Sequence, residues 1–168
     1  TLRLAIKYAK DFPTPCAFRY PRGAFIADDC AAKEFELGKA EIIKKGSKVA
    51  FIGYGNGVGK ALEVAKMIDT ITPTIVDLRF VKPLDEALLK RLAKEHTKWF
   101  IFSDSAKLGG VASALLEFLN CNMIQGIDLV TFEYDDAFIT HGNTEDVEKS
   151  LKLDKEHLAQ KIMKNLKE

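Results

Sequence analysis

Apolar residues recur along this chain in two alternating rhythms. Leu2, Ala5, Ile6 and Ala9 share one face of a helix that opens the sequence. A Pro-rich turn at Pro13 and Pro15 leads into the extended run Cys16-Ala-Phe-Arg-Tyr20, which Pro21-Arg22-Gly23 closes. Residues 24–34 lose periodicity and read as a linker, and 36–43 read as a short strand. After Gly46 the alternation becomes regular. A buried strand over 48–52 is followed by the turn Gly53-Tyr-Gly-Asn-Gly-Val-Gly59 and a helix with Val58, Ala61, Leu62, Ala65 and Ile68 on one face. A second strand covers 73–78, and Asp85 caps a helix faced by Leu88 and Leu92. The third strand is 98–103. Gly109-Gly110 then opens a helix bearing Val111, Ala114, Leu115 and Phe118, and 127–133 is the fourth strand. Two short helices finish the chain, the last carrying Leu158, Ile162 and Leu166.

Strands that alternate with helices of this length require right-handed crossovers. The expected fold class is therefore α/β, three layers, with a mostly parallel sheet covered by helices on both faces. At 168 residues the chain holds one domain core plus a short excess at one end. The 25 Lys and Arg nearly cancel the 24 Asp and Glu, leaving a net charge of +1 and no electrostatic reason for nucleic acid or an anionic membrane as partner. No apolar run approaches the roughly 20 residues that span a bilayer. A chain that starts without Met, inside an amphipathic helix and without a signal-peptide pattern, is expected to be cut from something longer. Cys16, Cys30 and Cys121 are widely spaced among apolar or small residues, which predicts buried thiols in a reducing, cytoplasmic compartment.

Few residues suggest chemistry by themselves. The glycine run between strand and helix, with Asp77 ending the next strand, invites a dinucleotide reading, but glycines at 53, 55, 57 and 59 give no G-x-G-x-x-G. A tight turn explains them without a ligand. Arg19 and Arg22 flank a Pro that fixes the backbone and precede a Gly that lets a ligand approach, so the pair suits either a phosphate or surface ion pairs. In Asp77-Leu-Arg-Phe-Val-Lys-Pro-Leu-Asp85 every residue has an architectural reason, with Asp77 and Arg79 able to pair with each other or across an interface. His96 and His157 fall on polar helix faces. His141 sits in a loop without a Ser or Cys partner, so no triad is assigned.

Together these strings carry a resemblance. Arg19-Tyr-Pro-Arg-Gly23, Asp77 to Asp85, Gly109-Gly-Val-Ala-Ser113, Asp136-Ala-Phe-Ile-Thr-His-Gly142 and Leu151-Lys-Leu-Asp154 occur in this order. They resemble the C-terminal part of the 1-deoxy-D-xylulose-5-phosphate synthase family, within the transketolase-like thiamine-diphosphate enzymes. The resemblance covers nearly the whole chain from about Pro15, and the Arg19–Gly23 string followed by Phe80-Val-Lys-Pro83 narrows it to the synthases. It implies that residues 1–35 are the tail of a preceding pyrimidine-binding domain plus linker, and 36–168 a transketolase-like C-terminal domain. It implies that Arg22 contacts the phosphate of glyceraldehyde 3-phosphate, with Arg19 supporting the turn. Thiamine diphosphate and Mg2+ belong to the intact enzyme, with no catalytic, cofactor or metal residue expected in this stretch. The preceding domains of the same chain and a second copy in a cytoplasmic homodimer are the implied partners. By itself this stretch is expected to catalyse nothing. Three features depart from the family pattern. Cys16-Ala-Phe replaces a small residue with β-branched neighbours, Ser105 stands beside Asp104 where an acidic pair is frequent, and Lys152 replaces a common Gly, so the C-terminal turn is expected to differ. Two rival readings remain: a free-standing phosphate, nucleotide or assembly module, and the C-terminal domain of a transketolase or a 2-oxo acid dehydrogenase β subunit.

Overall fold

Four consecutive apolar residues, Val49, Ala50, Phe51 and Ile52, are all at most 5% exposed, a burial that only a strand covered on both faces can reach. They belong to β2 (Lys48–Gly53), the central strand of a five-stranded sheet in the computed structural model, which describes residues 2–17, 20 and 33–167. The sheet order is β1-β3-β2-β4-β5, with β1 Glu41–Lys44, β3 Thr74–Asp77, β4 His96–Ala106 and β5 Asp128–Tyr134. β2, β3, β4 and β5 pair in parallel, and β1 closes one edge antiparallel to β3. The helices are α1 Leu2–Lys10, α2 Asn56–Met67, α3 Glu86–Glu95, α4 Val111–Cys121, α5 Thr144–Ser150 and α6 Lys155–Asn165.

The period-2 alternation of the strands divides the core in two. Ala50, Ile52, Val76, Trp99 and Ile101 meet Leu88, Leu89 and Leu92 of α3 and Val111, Leu115 and Phe118 of α4. On the other face Val49, Phe51, Ile75, Phe100, Phe102 and Phe132 meet Ala61 and Val64 of α2 and Leu158 and Ile162 of α6. Edge-to-face rings, such as Phe51 to Phe100 at 5.7 Å and Phe102 to Phe132 at 5.1 Å, add orientation to that second face. The chain is thus a three-layer α/β fold with a mostly parallel sheet, as the alternation of elements predicts.

Several local expectations are corrected. The first strand is not 36–43 but Glu41–Lys44, because Gly38 takes φ 68° and the Lys39 N–H closes a turn on Glu36 O. The glycine run is only half a turn: α2 begins at Asn56, and its buried stripe is Gly57, Ala61, Val64 and Ile68, with Val58, Leu62 and Ala65 on its flank. His96 does not lie on a solvated helix face. It starts β4 at 2% exposure, its Nε2 is 2.7 Å from Thr74 Oγ1 and its Nδ1 is 3.2 Å from Leu92 O. Cys16 and Cys121 are exposed rather than buried, since α4 turns Phe118 and Leu119 inward and its last residue falls off that stripe. Cys30 lies outside the described residues. Lys152 adopts φ 57°, the left-handed region a glycine would occupy freely, so the turn keeps that form with a lysine in it.

Candidate functional site

Arg19 and Arg22, the residues expected to meet a phosphate, both lie outside the described residues. The described molecule instead concentrates charge where the strand β3 ends. Thr74–Asp77 runs into a turn in which Arg79 takes φ 55°, an unfavourable conformation for a residue with a Cβ. The Arg79 N–H donates to Asp77 Oδ1 at 3.0 Å, which fixes the turn from within. Strand register sets Glu41 of β1 beside Asp77 of β3, and the Arg79 guanidinium, its side chain 3% exposed, binds Glu41 through Nη2. Nη1 donates to Glu34 O and Nη2 to Lys33 O, each at 3.2 Å, while the guanidinium carbon lies 4.6 Å from the centre of the Phe35 ring. Nε is buried without a hydrogen-bond partner, 3.7 Å from Asp77 Oδ2.

Burial is the main influence on Asp77 and raises its pKa above the ordinary carboxylate range, against the lowering effect of the Arg79 N–H and guanidinium. Asp85 completes the turn. Its Oδ1 caps α3 by accepting from Leu88 N at 3.0 Å, and its Oδ2 accepts from Ala40 N at 3.2 Å, so one carboxylate starts a helix and anchors the approach to β1. The expected Asp77–Arg79 pairing is therefore present but secondary, with Glu41 as the main partner.

The two other places where an α/β fold offers an anion site are occupied by the protein itself. At α2, a Cβ on Gly57 would stand 1.8 Å from Phe102 O and one on Gly53 would stand 2.6 Å from Val58 Cα, so these glycines let helix and strands pack together. At α4, the free N–H groups of the helix start meet Glu133, which is 1% exposed. Its Oε1 accepts from Ala112 N at 3.2 Å and from Ser105 Oγ at 2.6 Å, and its Oε2 accepts from Thr131 Oγ1 at 2.7 Å. Ser105 Oγ in turn accepts from Val111 N at 3.2 Å. Because the Ser105 hydrogen goes to Glu133, Ser103 Oγ donates across the 2.8 Å to Ser105. The residue that breaks the expected acidic pair thus links a buried acid to the helix.

His141 lines a cavity of about 310 Å³ with Tyr134, Phe138, Ile139, Val147 and Leu151, between the end of β5 and α5. Burial raises the pKa of the Tyr134 hydroxyl, helped by the negative charges of Glu148 and Asp104, and Glu148 is also held by Lys60 at 2.6 Å. Phe138, on the cavity lining, is fully exposed, and Leu108, just ahead of α4, is largely exposed as well. Among the described residues no group of three or more His, Cys, Asp or Glu is placed to hold a metal ion. The sequence reading missed Glu41, Phe35 and Glu133. Only Glu133 left a signal, as an acid inside the otherwise strand-like Leu129-Val-Thr-Phe-Glu-Tyr134.

Against this geometry, the sequence profile of the family "Transketolase, C-terminal domain" matches residues 38–158. The chain is 56% identical over 164 residues to the 1-deoxy-D-xylulose-5-phosphate synthase of a Nitratiruptor species, covering 96% of this chain and 26% of the relative. It is 49% identical over 160 residues to the protein of the same name in Sulfurimonas denitrificans, covering 94% of this chain and 26% of that one. It therefore spans about a quarter of the length of the curated relatives it matches. Among solved structures it is similar to a chain described as a split gene transketolase, inactive beta4 tetramer. That match has a TM-score of 0.84 and 25% identity over 96% of this chain and 53% of the other.

Proposed function

Because the chain belongs to the transketolase C-terminal domain family, we propose that it is the C-terminal portion of a 1-deoxy-D-xylulose-5-phosphate synthase. The observation that carries this reading is the 56% identity to a protein of that name over 96% of the chain. The intact protein then joins the two-carbon unit left when pyruvate loses CO2 to glyceraldehyde 3-phosphate. Residues 36–168 are the C-terminal domain, and 1–35 the end of the domain before it. Enzymes of this name work with thiamine diphosphate and magnesium. Thiamine diphosphate supplies the electron sink for decarboxylation and carbon–carbon bond formation. The described residues do not fit either group: Glu133 fills the anion site at α4, the α2 turn is closed by backbone, and no metal donor set exists among them. In this reading the cofactor is held by the rest of the protein.

What this stretch contributes is substrate binding and assembly. Arg22 donates a bidentate pair to the phosphate of the aldehyde, and Arg19 supports the turn that presents it. The full protein works as a homodimer in the cytoplasm. No helix among the described residues is long and apolar enough to cross a membrane.

The test is to assay the full reading frame and residues 1–168 side by side for CO2 release and 1-deoxy-D-xylulose 5-phosphate. Turnover is expected from the full protein alone, with Arg22→Ala raising KM for the aldehyde by about a hundredfold, the loss of a charged phosphate contact. Synthase turnover by the 168-residue chain overturns the reading, as does a full protein that transfers ketol groups between sugar phosphates but ignores pyruvate.

A further inference from the structure

The carboxyl end of the sheet carries an apolar patch that the described residues leave uncovered. β2, β3, β4 and β5 run parallel, so the loops that follow them emerge at one end. After β5, residues 137–144 read Ala-Phe-Ile-Thr-His-Gly-Asn-Thr, eight positions without Asp, Glu, Lys or Arg in a chain that is 29% charged. Phe138 is fully exposed and Ile139 is 44% exposed, and on the loop after β4 Leu108 is 72% exposed. The two loops are joined, because the Lys107 N–H donates to Tyr134 O at 2.8 Å and Lys107 Nζ binds Asp135. Single exposed apolar side chains are ordinary, whereas three on two joined loops form a patch. Lys107, Asp135, Asp136 and Glu145 border it in sequence, which gives the apolar centre and charged rim of an interface. The patch is also held in shape. Asn143 caps α5 by accepting from Glu145 N at 3.1 Å, and the Tyr134 hydroxyl bonds Glu148, itself paired with Lys60 at 2.6 Å. Beside Phe138 lies the cavity lined by Tyr134, Ile139, Val147 and Leu151, so a projecting ring and an open recess are presented together.

We infer that Leu108, Phe138 and Ile139, with the cavity beside them, form the docking surface for the part of the same chain that precedes Thr1. Two observations select that occupant. The 168 residues span about a quarter of the length of the relatives they match, so most of such a protein is available to cover the patch. The described upstream residues already arrive at this end of the sheet. Tyr8 of α1 packs on Phe80 with 6.3 Å between centroids, and Arg79 takes the carbonyls of Lys33 and Glu34, both just past the carboxyl end of β3. In the order β3-β2-β4-β5 the ends of β3 and β5 are three strand spacings apart, about 14 Å. A small folded domain is about 30 Å across, so a body led in at β3 reaches over β5. A tethered segment also meets the patch at an effective concentration of about millimolar, an advantage that a free second copy lacks.

This inference rests on the reading of the chain as the end of a longer protein, and not on the reaction that protein catalyses. The experiment uses the full-length protein with a photoreactive benzophenone amino acid at position 138 and, in a separate preparation, at position 108. Irradiation is expected to join each probe to peptides upstream of Thr1 and to leave the product at monomer mass on a denaturing gel. A product of dimer mass gives the patch to a second copy and overturns the inference, as do crosslinks confined to residues 1–168. A thiol at the same place gives an independent measurement. Alkylation of Phe138→Cys by a maleimide, followed at its own peptide by mass spectrometry, is expected to run about tenfold slower in the native protein than in urea. Equal rates in both mean that water covers the patch, and overturn the inference. Synthase turnover is measured on the unsubstituted protein. Its absence sinks the proposed function, and the crosslinks still decide the surface.

Discussion

Two groups of buried acids sit at the same end of this sheet and are neutralised in opposite ways. Glu133, between β5 and α4, is met by two hydroxyls and a backbone N–H that all belong to the domain. Glu41 and Asp77, between β1 and β3, are met by a guanidinium that also reaches out to residues 33–35. The first arrangement closes the domain on itself: every partner is in place once β4, α4 and β5 have packed. The second stays incomplete within the domain, with Arg79 Nε buried without a hydrogen-bond partner and Asp77 pushed by burial toward its protonated form. A carboxylate satisfied by neutral donors belongs to stability, whereas one satisfied by a shared cation can serve as a joint.

The contrast can be broken at either group. Glu133→Ala removes the acceptor of a helix N–H and two hydroxyls at once and should destabilise the chain by about 3 kcal/mol or more, seen as a lower urea midpoint at unchanged slope. A loss under about 1 kcal/mol would mean that water replaces the carboxylate, and that the closed cluster is not closed. Ser105→Ala removes one link between Glu133 and α4 and should cost about 1–2 kcal/mol by the same measurement. The smallest effect is expected at the joint. Since burial raises the Asp77 pKa, its contribution to stability is complete below the ordinary value of about 3.9 and is lost as pH climbs through the folded value. Asn does not titrate, so Asp77→Asn should gain on the native chain as pH rises from about 4, and parallel stability curves would remove the distinction drawn for that pair.

The same contrast governs what could be read from the chain alone. Elements with a repeating apolar period were legible: β2, β3, α3, α4 and the face of α6 fall within a few residues of expectation, because burial on a helix or strand face imposes that period. Asp85 was legible as a cap because capping is local. Glu41, Phe35 and Arg79 meet only after β3 has inserted beside β1, at separations of about forty residues, and nothing in a periodicity carries such a contact. His96 escapes for the related reason that α3 ends one residue before it, turning what resembles a helix face into the first residue of a buried strand paired with Thr74. The exposure of Cys121 turns on one residue's rotation at a helix end, finer than a composition argument resolves.

The sheet order also fixes a sequence of events. β1 is made first, yet its partner is β3, and the chain must leave β1, lay down β2 and α2, and return before Thr74–Asp77 exists to receive it. During synthesis β1 therefore lacks its partner in this sheet until some thirty further residues have emerged, and loop closure must precede any reward from that contact. Arg79 follows β3 by two residues, so the hold on 33–35 becomes available only as the first parallel pair of the sheet is completed. Residues 33–35 are thus fastened to this sheet only once the sheet has begun to form.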